Sequence, residues 1–325
     1  MIRFGVIGAG NIARTFCDAM QVVEEGSLYA IASRDLTRAQ DYQRTYGFDK
    51  AYESYETLFQ DPNVDCVYVA TPHGLHYEQM MLALDYKKHL LCEKAFTLNE
   101  AQAQAVFDKA RAQGCFVMEA MWTRFLPTIQ ALQGALSEGV LGEITRVEAA
   151  LCFDLQKPDD HRVLAKALGG GALLDVGIYP ITFANLVLGA PSSFEATMTP
   201  ASTGVDGSNE MTYHYPKAVA VLKSSVLTQG DPTARIEGTK GYAVVPNFWS
   251  TTQATLYDWQ DQVLMSIDMP HEVNGFEYEI REVIQRLHAG DLESAWMSHQ
   301  TTLAILKQMD AIRARWNLTY PQENT

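Results

Sequence analysis

Cysteine is scarce: Cys17, Cys66, Cys92, Cys115 and Cys152 are scattered along 325 positions with no Cys-x-x-Cys pair. That spacing excludes a disulfide framework, gives no zinc or redox signature and points to a reducing compartment. Positive charge is also short. Lys and Arg total 25 against 39 Asp and Glu, a formal net charge of −14, so the chain repels nucleic acid and anionic membrane surfaces. No run is read as reaching the ~18 apolar residues of a membrane span, and the apolar segment Ile2 to Ile7 follows Met1 with no signal-peptide n-region. These absences set the expectation of a cytoplasmic protein with neither nucleic-acid nor membrane partners. Repeats, low-complexity tracts and flexible linkers are missing too. At 47% hydrophobic, the chain is too apolar to be disordered and too long for one small core, so two domains are expected.

Up to about residue 120, short apolar runs alternate with amphipathic segments, the pattern of a parallel sheet built from strand–helix–strand units. Strands are expected near 2–7, 28–33, 66–70, 89–92 and 115–118. Helices are expected near 11–22, 36–46, 74–86 and 98–112, the last opened by a capping box between Thr97 and Glu100. The rhythm changes after residue 122. A helix near 125–137 precedes an alternating segment from Glu143 to Asp154, and a glycine-rich stretch leads into an apolar helix near 172–188. Strands dominate from about 193 to 268, with turns at Asp206-Gly207 and Gly230-Asp231-Pro232, and helices near 276–289 and 292–315 close the chain. The fold class read from this is α/β: a doubly wound parallel-sheet domain over 1–121 and an α/β domain over 122–325.

The first turn reads Gly8-Ala9-Gly10-Asn11-Ile12-Ala13, the G-x-G-x-x-A form of the dinucleotide fingerprint, set between the first strand and the first helix. Gly8 permits the tight turn, Gly10 lets the backbone approach a pyrophosphate, and Ala13 keeps the helix close to the sheet. Helix N-terminal amides at Asn11 and Ile12 would receive the phosphates. The second strand ends Ala32-Ser33-Arg34-Asp35-Leu36-Thr37-Arg38, where an NAD enzyme usually carries an acidic residue for the ribose hydroxyls. Ser33, Arg34 and Arg38 suit a 2′-phosphate instead. Asp35 is open between ribose acceptor and N-cap of the next helix, the second being its more natural role. The pattern favours NADP, with NAD as the alternative.

Strand four ends Leu91-Cys92-Glu93-Lys94. Carboxyl ends of strands in such sheets face the ligand crevice, which brings Glu93 and Lys94 near the cofactor. From position alone, Lys94 reads as well as a solvated loop lysine. In Gly169-Gly170-Gly171-Ala172-Leu173-Leu174-Asp175-Val176-Gly177-Ile178-Tyr179-Pro180, Asp175 and Tyr179 stand four apart on an expected helix and hence on one face.

The glycine fingerprint, Thr71-Pro72 after strand three, Glu93-Lys94 and the Gly169 to Tyr179 segment together resemble the glucose–fructose oxidoreductase/inositol dehydrogenase (Gfo/Idh/MocA) family over essentially the whole chain. The stretch Met118-Glu119-Ala120-Met121-Trp122-Thr123-Arg124-Phe125 is similar to the branch holding dimeric dihydrodiol dehydrogenase and NADP-dependent D-xylose dehydrogenase. The resemblance implies a Rossmann domain, then an α/β domain on an open, largely antiparallel sheet that often mediates dimerisation. It also implies reversible hydride transfer at an alcohol or hemiacetal carbon of a sugar or vicinal diol. Lys94 matches the family's active-site lysine and Tyr179 the acid/base tyrosine of this branch. Inositol dehydrogenases carry histidine where Tyr179 stands, which argues against inositol. Ala95 stands where the family commonly has proline, leaving the shape of the Lys94 loop open.

A phenol of ordinary pKa ~10 is a poor base at neutral pH unless a cation stabilises the phenolate. The expectation is therefore Tyr179 as base in oxidation and acid in reduction, assisted by Lys94. Asp175 either positions Lys94 or a substrate hydroxyl, or only orients the helix. His73 and His76 follow strand three at i, i+3 with no third ligand, so no metal is expected; with Thr71 and Pro72 they are read as lining the nicotinamide pocket. Trp122 and Arg124 either meet the substrate or pack at the domain junction. Phe153, Trp249 and Phe276 are candidates for apolar walls, with core packing the blander reading. Two rival readings stand: a non-catalytic NADP-binding regulator on the same fold, and an NAD-linked dehydrogenase of the same family. A strand-rich second half would expose a broad sheet face in a monomer, which gives the expectation of a homodimer.

Overall fold

The computed structural model of the chain describes residues 1–324. In chain order the elements are β1 (Ile2–Ile7), α1 (Asn11–Met20), β2 (Gly26–Ala32), α2 (Leu36–Tyr46), β3 (Lys50–Tyr52), α3 (Tyr55–Gln60), β4 (Cys66–Val69), α4 (His73–Asp85), β5 (His89–Glu93), α5 (Glu100–Gln113) and β6 (Val117–Ala120). A 3-10 turn (Trp122–Phe125) leads to α6 (Pro127–Ser137), β7 (Ile144–Cys152), a π-helical turn (Leu173–Gly177), α7 (Ile178–Leu188), β8 (Ser193–Pro200), β9 (Asp206–His214) and β10 (Val219–Ser225). Then follow β11 (Ala234–Gly238), β12 (Gly241–Val245), β13 (Gln253–Asp258), β14 (Val263–Asp268), α8 (Phe276–Ala289) and α9 (His299–Arg315).

Two compact units result: Met1–Trp122 with Glu272–Leu306, and Thr123–His271 with the chain from Lys307 onward. A single cut near residue 121 therefore does not describe the chain, because α8 returns to the first unit. Its stripe of Phe276, Ile280, Val283 and Ile284 is buried, as expected for apolar residues at helical spacing. Asn274 Nδ2 adds a 2.9 Å hydrogen bond to Thr15 O of α1.

The first unit holds a six-stranded sheet, order β3-β2-β1-β4-β5-β6, with every pair parallel, the doubly wound arrangement. Strands β1, β4, β5 and β6 run almost wholly buried, as a sheet covered on both faces requires. The short β3 and α3 carry too little periodicity to be read from sequence. Strand β6 starts later than expected because Gly114 takes a left-handed conformation (φ 68°) and Cys115 N–H still turns back to Ala110 O. The capping box of α5 also sits further on. Asn99 Oδ1 accepts from Gln102 N at 2.8 Å and Gln102 Oε1 accepts from Leu98 N at 3.2 Å, whereas Thr97 is buried and donates to Asn99 O.

The second unit is built on an eight-stranded sheet, order β14-β13-β12-β11-β7-β10-β9-β8, antiparallel except for β7–β10. Its strands alternate buried and half-buried residues, so one face carries the core, and α7 packs against β7 and β10. The helix expected over 172–188 is divided into the π-helical turn and α7. Contrary to the sequence reading, Lys166–Leu188 is long and apolar enough to cross a bilayer, with mean hydropathy 1.5, but 78% of its most apolar window is buried inside the unit. A helix apolar on all sides is what a core position demands. The last helix begins at His299, not 292, since Ser294 Oγ accepts from Trp296 N at 3.0 Å and holds a turn there.

Asn99→Ala removes the α5 cap and should lower the stability of the first unit by about 1 kcal/mol, whereas Asn99→Asp keeps the acceptor and should leave it unchanged; urea midpoints at constant slope measure the difference.

Candidate functional site

Register across the parallel sheet sets Ala32, Ile7, Val69, Cys92 and Glu119 side by side. The residues that follow, Ser33, Gly8, Ala70, Glu93 and Ala120, therefore emerge along one edge, the carboxyl ends of the strands.

Gly8 is required by the chain itself: its φ is +94°, and a Cβ there would lie 2.7 Å from Ala70 O. Gly10 is different. Its φ of −108° suits any residue, and a Cβ would meet no protein atom within 4 Å. No contact in the chain calls for glycine at this position, so the open space over it is a cradle that a side chain would fill. The N-terminus of α1 points there with no side-chain cap and no acidic residue in its first turn, the setting that binds a pyrophosphate. Beside it, a cavity of about 300 Å³ is lined by Gly10, Asn11, Arg14, Arg38, Tyr42 and Tyr46 among others. Ile12 is half-buried. Sequence reading missed Arg14, one turn beyond Asn11 on the same helix face, and Tyr42, whose Oη donates to Gly10 O at 2.7 Å.

At the end of β2, Asp35 Oδ1 accepts from Arg38 N at 3.3 Å, so this carboxylate is the N-cap of α2. Ser33 Oγ accepts from Asp35 N at 3.2 Å. Arg34 and Arg38 are exposed. The Tyr55 phenol is pushed up by burial and drawn down by the neighbouring Arg34 guanidinium.

The loop carrying Lys94 is pinned residue by residue. His73 Nε2 donates to Lys94 O at 3.1 Å, His76 Nδ1 lies 3.1 Å from Ala95 O, and Phe96 N donates to Glu119 Oε1 at 3.0 Å. Glu119 in turn accepts from Thr302 Oγ1 at 2.9 Å, and His76 Nε2 donates to Thr71 O at 2.7 Å, tying the loops after β4 and β5 together. His76 has no exposed surface, and burial pulls it below the ordinary imidazole value. Thr71 Oγ1 donates to Gln79 Oε1 at 2.5 Å, and Pro72 is the residue before α4. The Lys94–Ala95 peptide is cis. Both histidines thus hold backbone carbonyls, and among the described residues no group of three or more His, Cys, Asp or Glu could hold a metal ion. Glu93 is buried and accepts from the Tyr68 phenol. Close by, burial and the Glu93 charge push Glu279 well above the ordinary carboxylate range.

Trp122 is 4% exposed and packs on Phe276 at 4.9 Å between ring centroids, so both belong to the core of the first unit. In the second unit, Arg124 is half-buried. Asp175 lies in the π-helical turn and accepts from Arg162 Nη1 at 2.9 Å, a partner remote in sequence terms and absent from the sequence reading. Tyr179 opens α7 and is 6% exposed; Trp249 meets its ring at 5.8 Å and that of Phe153 at 6.2 Å. The structure thus assembles Phe153, Trp249 and Tyr179 into one aromatic group. Thr123 Oγ1 fixes Trp249 by donating to its carbonyl at 2.6 Å.

Comparison with known proteins agrees with this geometry. Residues 2–121 match a family model described as an oxidoreductase family with an NAD-binding Rossmann fold, and residues 129–244 match the GFO/IDH/MocA C-terminal domain. The chain is 33% identical over 333 residues to trans-1,2-dihydrobenzene-1,2-diol dehydrogenase of Xenopus tropicalis, covering 98% of this chain and 99% of that protein. The Homo sapiens protein of the same name is 31% identical over 333 residues, with 99% of each covered. Among solved structures, KijD10, a 3-ketoreductase from Actinomadura kijaniata in complex with NADP and TDP-benzene, superposes with a TM-score of 0.88 at 29% identity, covering 96% of this chain and 97% of that one. Aldose-aldose oxidoreductase from Caulobacter crescentus shares the fold at a TM-score of 0.87 and 22% identity, with 98% of each chain covered.

The contrast between the two glycines is testable. Gly10→Ala should leave the thermal midpoint unchanged yet weaken dinucleotide binding at least about tenfold, read by fluorescence titration; Gly8→Ala should lower the midpoint itself.

Proposed function

The chain belongs to the GFO/IDH/MocA oxidoreductase family, and within it we propose an NADP-dependent dehydrogenase acting on a carbinol carbon of a trans-dihydrodiol or of an aldose at C1. The observation that carries this reading is the full-length similarity to dihydrodiol dehydrogenases in a chain that holds Lys94 in a pinned loop and Tyr179 in an aromatic setting. Preference for NADP over NAD is supported by Asp35, whose carboxylate is engaged as a helix cap, and by Ser33, Arg34 and Arg38, which suit a 2′-phosphate. The cradle over Gly10 would take the pyrophosphate on the α1 amides.

The nicotinamide of a dinucleotide held by these residues would supply hydride chemistry. Proton transfer falls to the chain. In oxidation, Tyr179 Oη takes the proton that leaves the substrate hydroxyl, and in reduction it returns that proton to the carbonyl oxygen. Lys94 Nζ is the group proposed to stabilise the alkoxide-like substrate oxygen by charge and hydrogen bonding. The 2.9 Å pair with Arg162 orients Asp175 within the turn preceding Tyr179. Phe153 and Trp249 offer the flat apolar surface that a cyclic diol or the C–H face of a sugar ring needs.

A second copy of the chain is the proposed partner, docked on the exposed face of the eight-stranded sheet. There the Arg235 guanidinium lies 3.8 Å from the Tyr242 ring, which stacks on Tyr257 at 5.1 Å and meets Trp259 at 5.7 Å. Trp259, Val263 and Leu264 are exposed, a patch of the kind that association covers.

A panel of D-xylose, D-glucose and cyclic trans-diols with NADP, followed at the reduced-nicotinamide absorbance band, should show turnover. Tyr179→Phe and Lys94→Ala should each lower kcat by at least about a hundredfold. Arg34→Ala should raise KM for NADP and leave KM for NAD unchanged. Tight NADP binding without turnover on any member would replace the dehydrogenase by a regulator. Light scattering should give twice the 36.2 kDa chain mass, and the double variant Tyr242→Asp, Trp259→Asp should return it to one chain.

A further inference from the structure

Asp206 was read from sequence as half of an Asp-Gly turn, but its side chain has no exposed surface. It opens β9 and points under the helical segment that bears Asp175 and Tyr179. Asp206 Oδ2 accepts from Leu173 N–H, the first amide of the π-helical turn, at 2.6 Å, and from Asn209 Nδ2 at 2.8 Å. Asn209 Oδ1 accepts from Ser224 Oγ at 2.7 Å. The Ser224 hydroxyl sits where a Cβ on Gly177 would lie 2.8 Å away, so the helix backbone rests directly on it. Three buried polar side chains of β9 and β10 therefore hold the segment at Leu173 and at Gly177, on either side of Asp175 and immediately before Tyr179. Gly171 is part of the same device. Its φ is +127°, and a Cβ there would lie 2.3 Å from Asp206 Oδ1, an oxygen with no hydrogen-bond partner among the described residues.

A carboxylate at the N-terminal end of a helix gains from the unpaired amides and the aligned peptide dipoles. Here it does so in a dry interior, where such interactions are stronger than at the surface. On the reading of Tyr179 as the proton-transfer group, we infer that Asp206 is a positioning residue, its carboxylate fixing the start of the segment from which Tyr179 and Asp175 project.

The charged and titratable neighbours are the Arg313 guanidinium of α9, which favours the ionised form, and the Tyr320 phenol, whose own ionisation burial and the Asp206 charge push up. Arg313 is itself held by Glu323 and Asp310. From β9 and β10 the facing groups, Asn209 and Ser224, are neutral. Burial outweighs the favourable contacts and pushes Asp206 up to about 7. Because that value lies above the carboxylate's unfolded value, the folded state binds the proton more tightly, and the contribution of Asp206 to stability falls as pH rises towards 7. Positioning has the opposite sign. The ionised form is the better anchor, so kcat falls as pH drops through about 7 while stability rises.

The experiment compares the full-length enzyme with Asp206→Asn, Asp206→Ala and Tyr179→Phe by steady-state kinetics with a diol substrate and NADP, together with thermal midpoints. Asp206→Ala should lower kcat by roughly ten- to a hundredfold with KM for NADP unchanged. Asp206→Asn keeps an acceptor oxygen for Leu173 N–H but no charge, and should hold kcat near the low-pH level of the native enzyme, above that of the alanine variant. Its kcat should be flat through about pH 7, where that of the native enzyme falls. Native kcat in a folded Asp206→Ala, or an unchanged pH inflection in Asp206→Asn, overturns the inference. Should the alanine variant fail to fold, the profile of the asparagine variant decides alone. Loss of activity in Tyr179→Phe with a native-like Asp206→Asn profile would mean that only the positioning role is wrong; full activity in Tyr179→Phe would mean that the reading of Tyr179 is wrong.

Discussion

One constraint organises the first unit: all of its strands run in the same direction. Parallel pairing puts every carboxyl end on one edge, so the loops after β1, β2, β4, β5 and β6 share that edge although they lie up to about a hundred residues apart in sequence. Gly8 can turn there because Ala70 O occupies the space a side chain would need. The α1 amides, Ser33, Thr71 and Glu93 all follow from the same register. A single antiparallel pair in the middle of the sheet would scatter them.

Register alone does not give a loop a shape. What shapes the loop after β5 is a set of buried polar side chains, each bound to a backbone group of a different residue: His73 to Lys94 O, His76 beside Ala95 O, Glu119 to Phe96 N. Buried hydrogen-bonding groups are costly to leave unpaired, so each bond holds both the loop and the side chain that makes it. The second unit uses the same device. Asp206, Asn209 and Ser224 form a buried polar row beneath the segment that carries Asp175 and Tyr179, and Arg162 pairs with Asp175. In both units the chemically interesting side chain is backed by a hydrogen-bonded scaffold that leaves the backbone little freedom.

Several residues changed meaning between sequence and fold. The histidine pair, which read as a pocket lining, holds carbonyls. Trp122, read as meeting the substrate or packing at a junction, and Phe276, read as wall or core, pack on each other in the core. Glu119 entered only as part of a motif, yet it joins the Lys94 loop to α9. Asp35 was open between two roles and serves as the cap. Except for Asp35, whose partner stands three residues on, the partner that decides the role is distant in the chain: 23 positions separate Phe96 from Glu119, and 183 separate Glu119 from Thr302. Periodicity and motif spacing report local geometry, and partners at that distance leave no trace in them.

From the sequence alone came the alternation of strands and helices, the glycine turn at the head of α1 and the resemblance that named the family, because these depend on residues within a few positions of one another. Element ends were less legible where a side chain intervened, as Gln102 and Asn99 did at α5 or Ser294 before α9. Only the tertiary structure decided that α8 belongs to the first unit, that Phe153, Trp249 and Tyr179 form one aromatic group, and that a buried aspartate caps the turn before Tyr179. Those outcomes depend on which surfaces meet once the chain has folded, and the free energy that selects them comes from burial and pairing between segments that the sequence keeps apart.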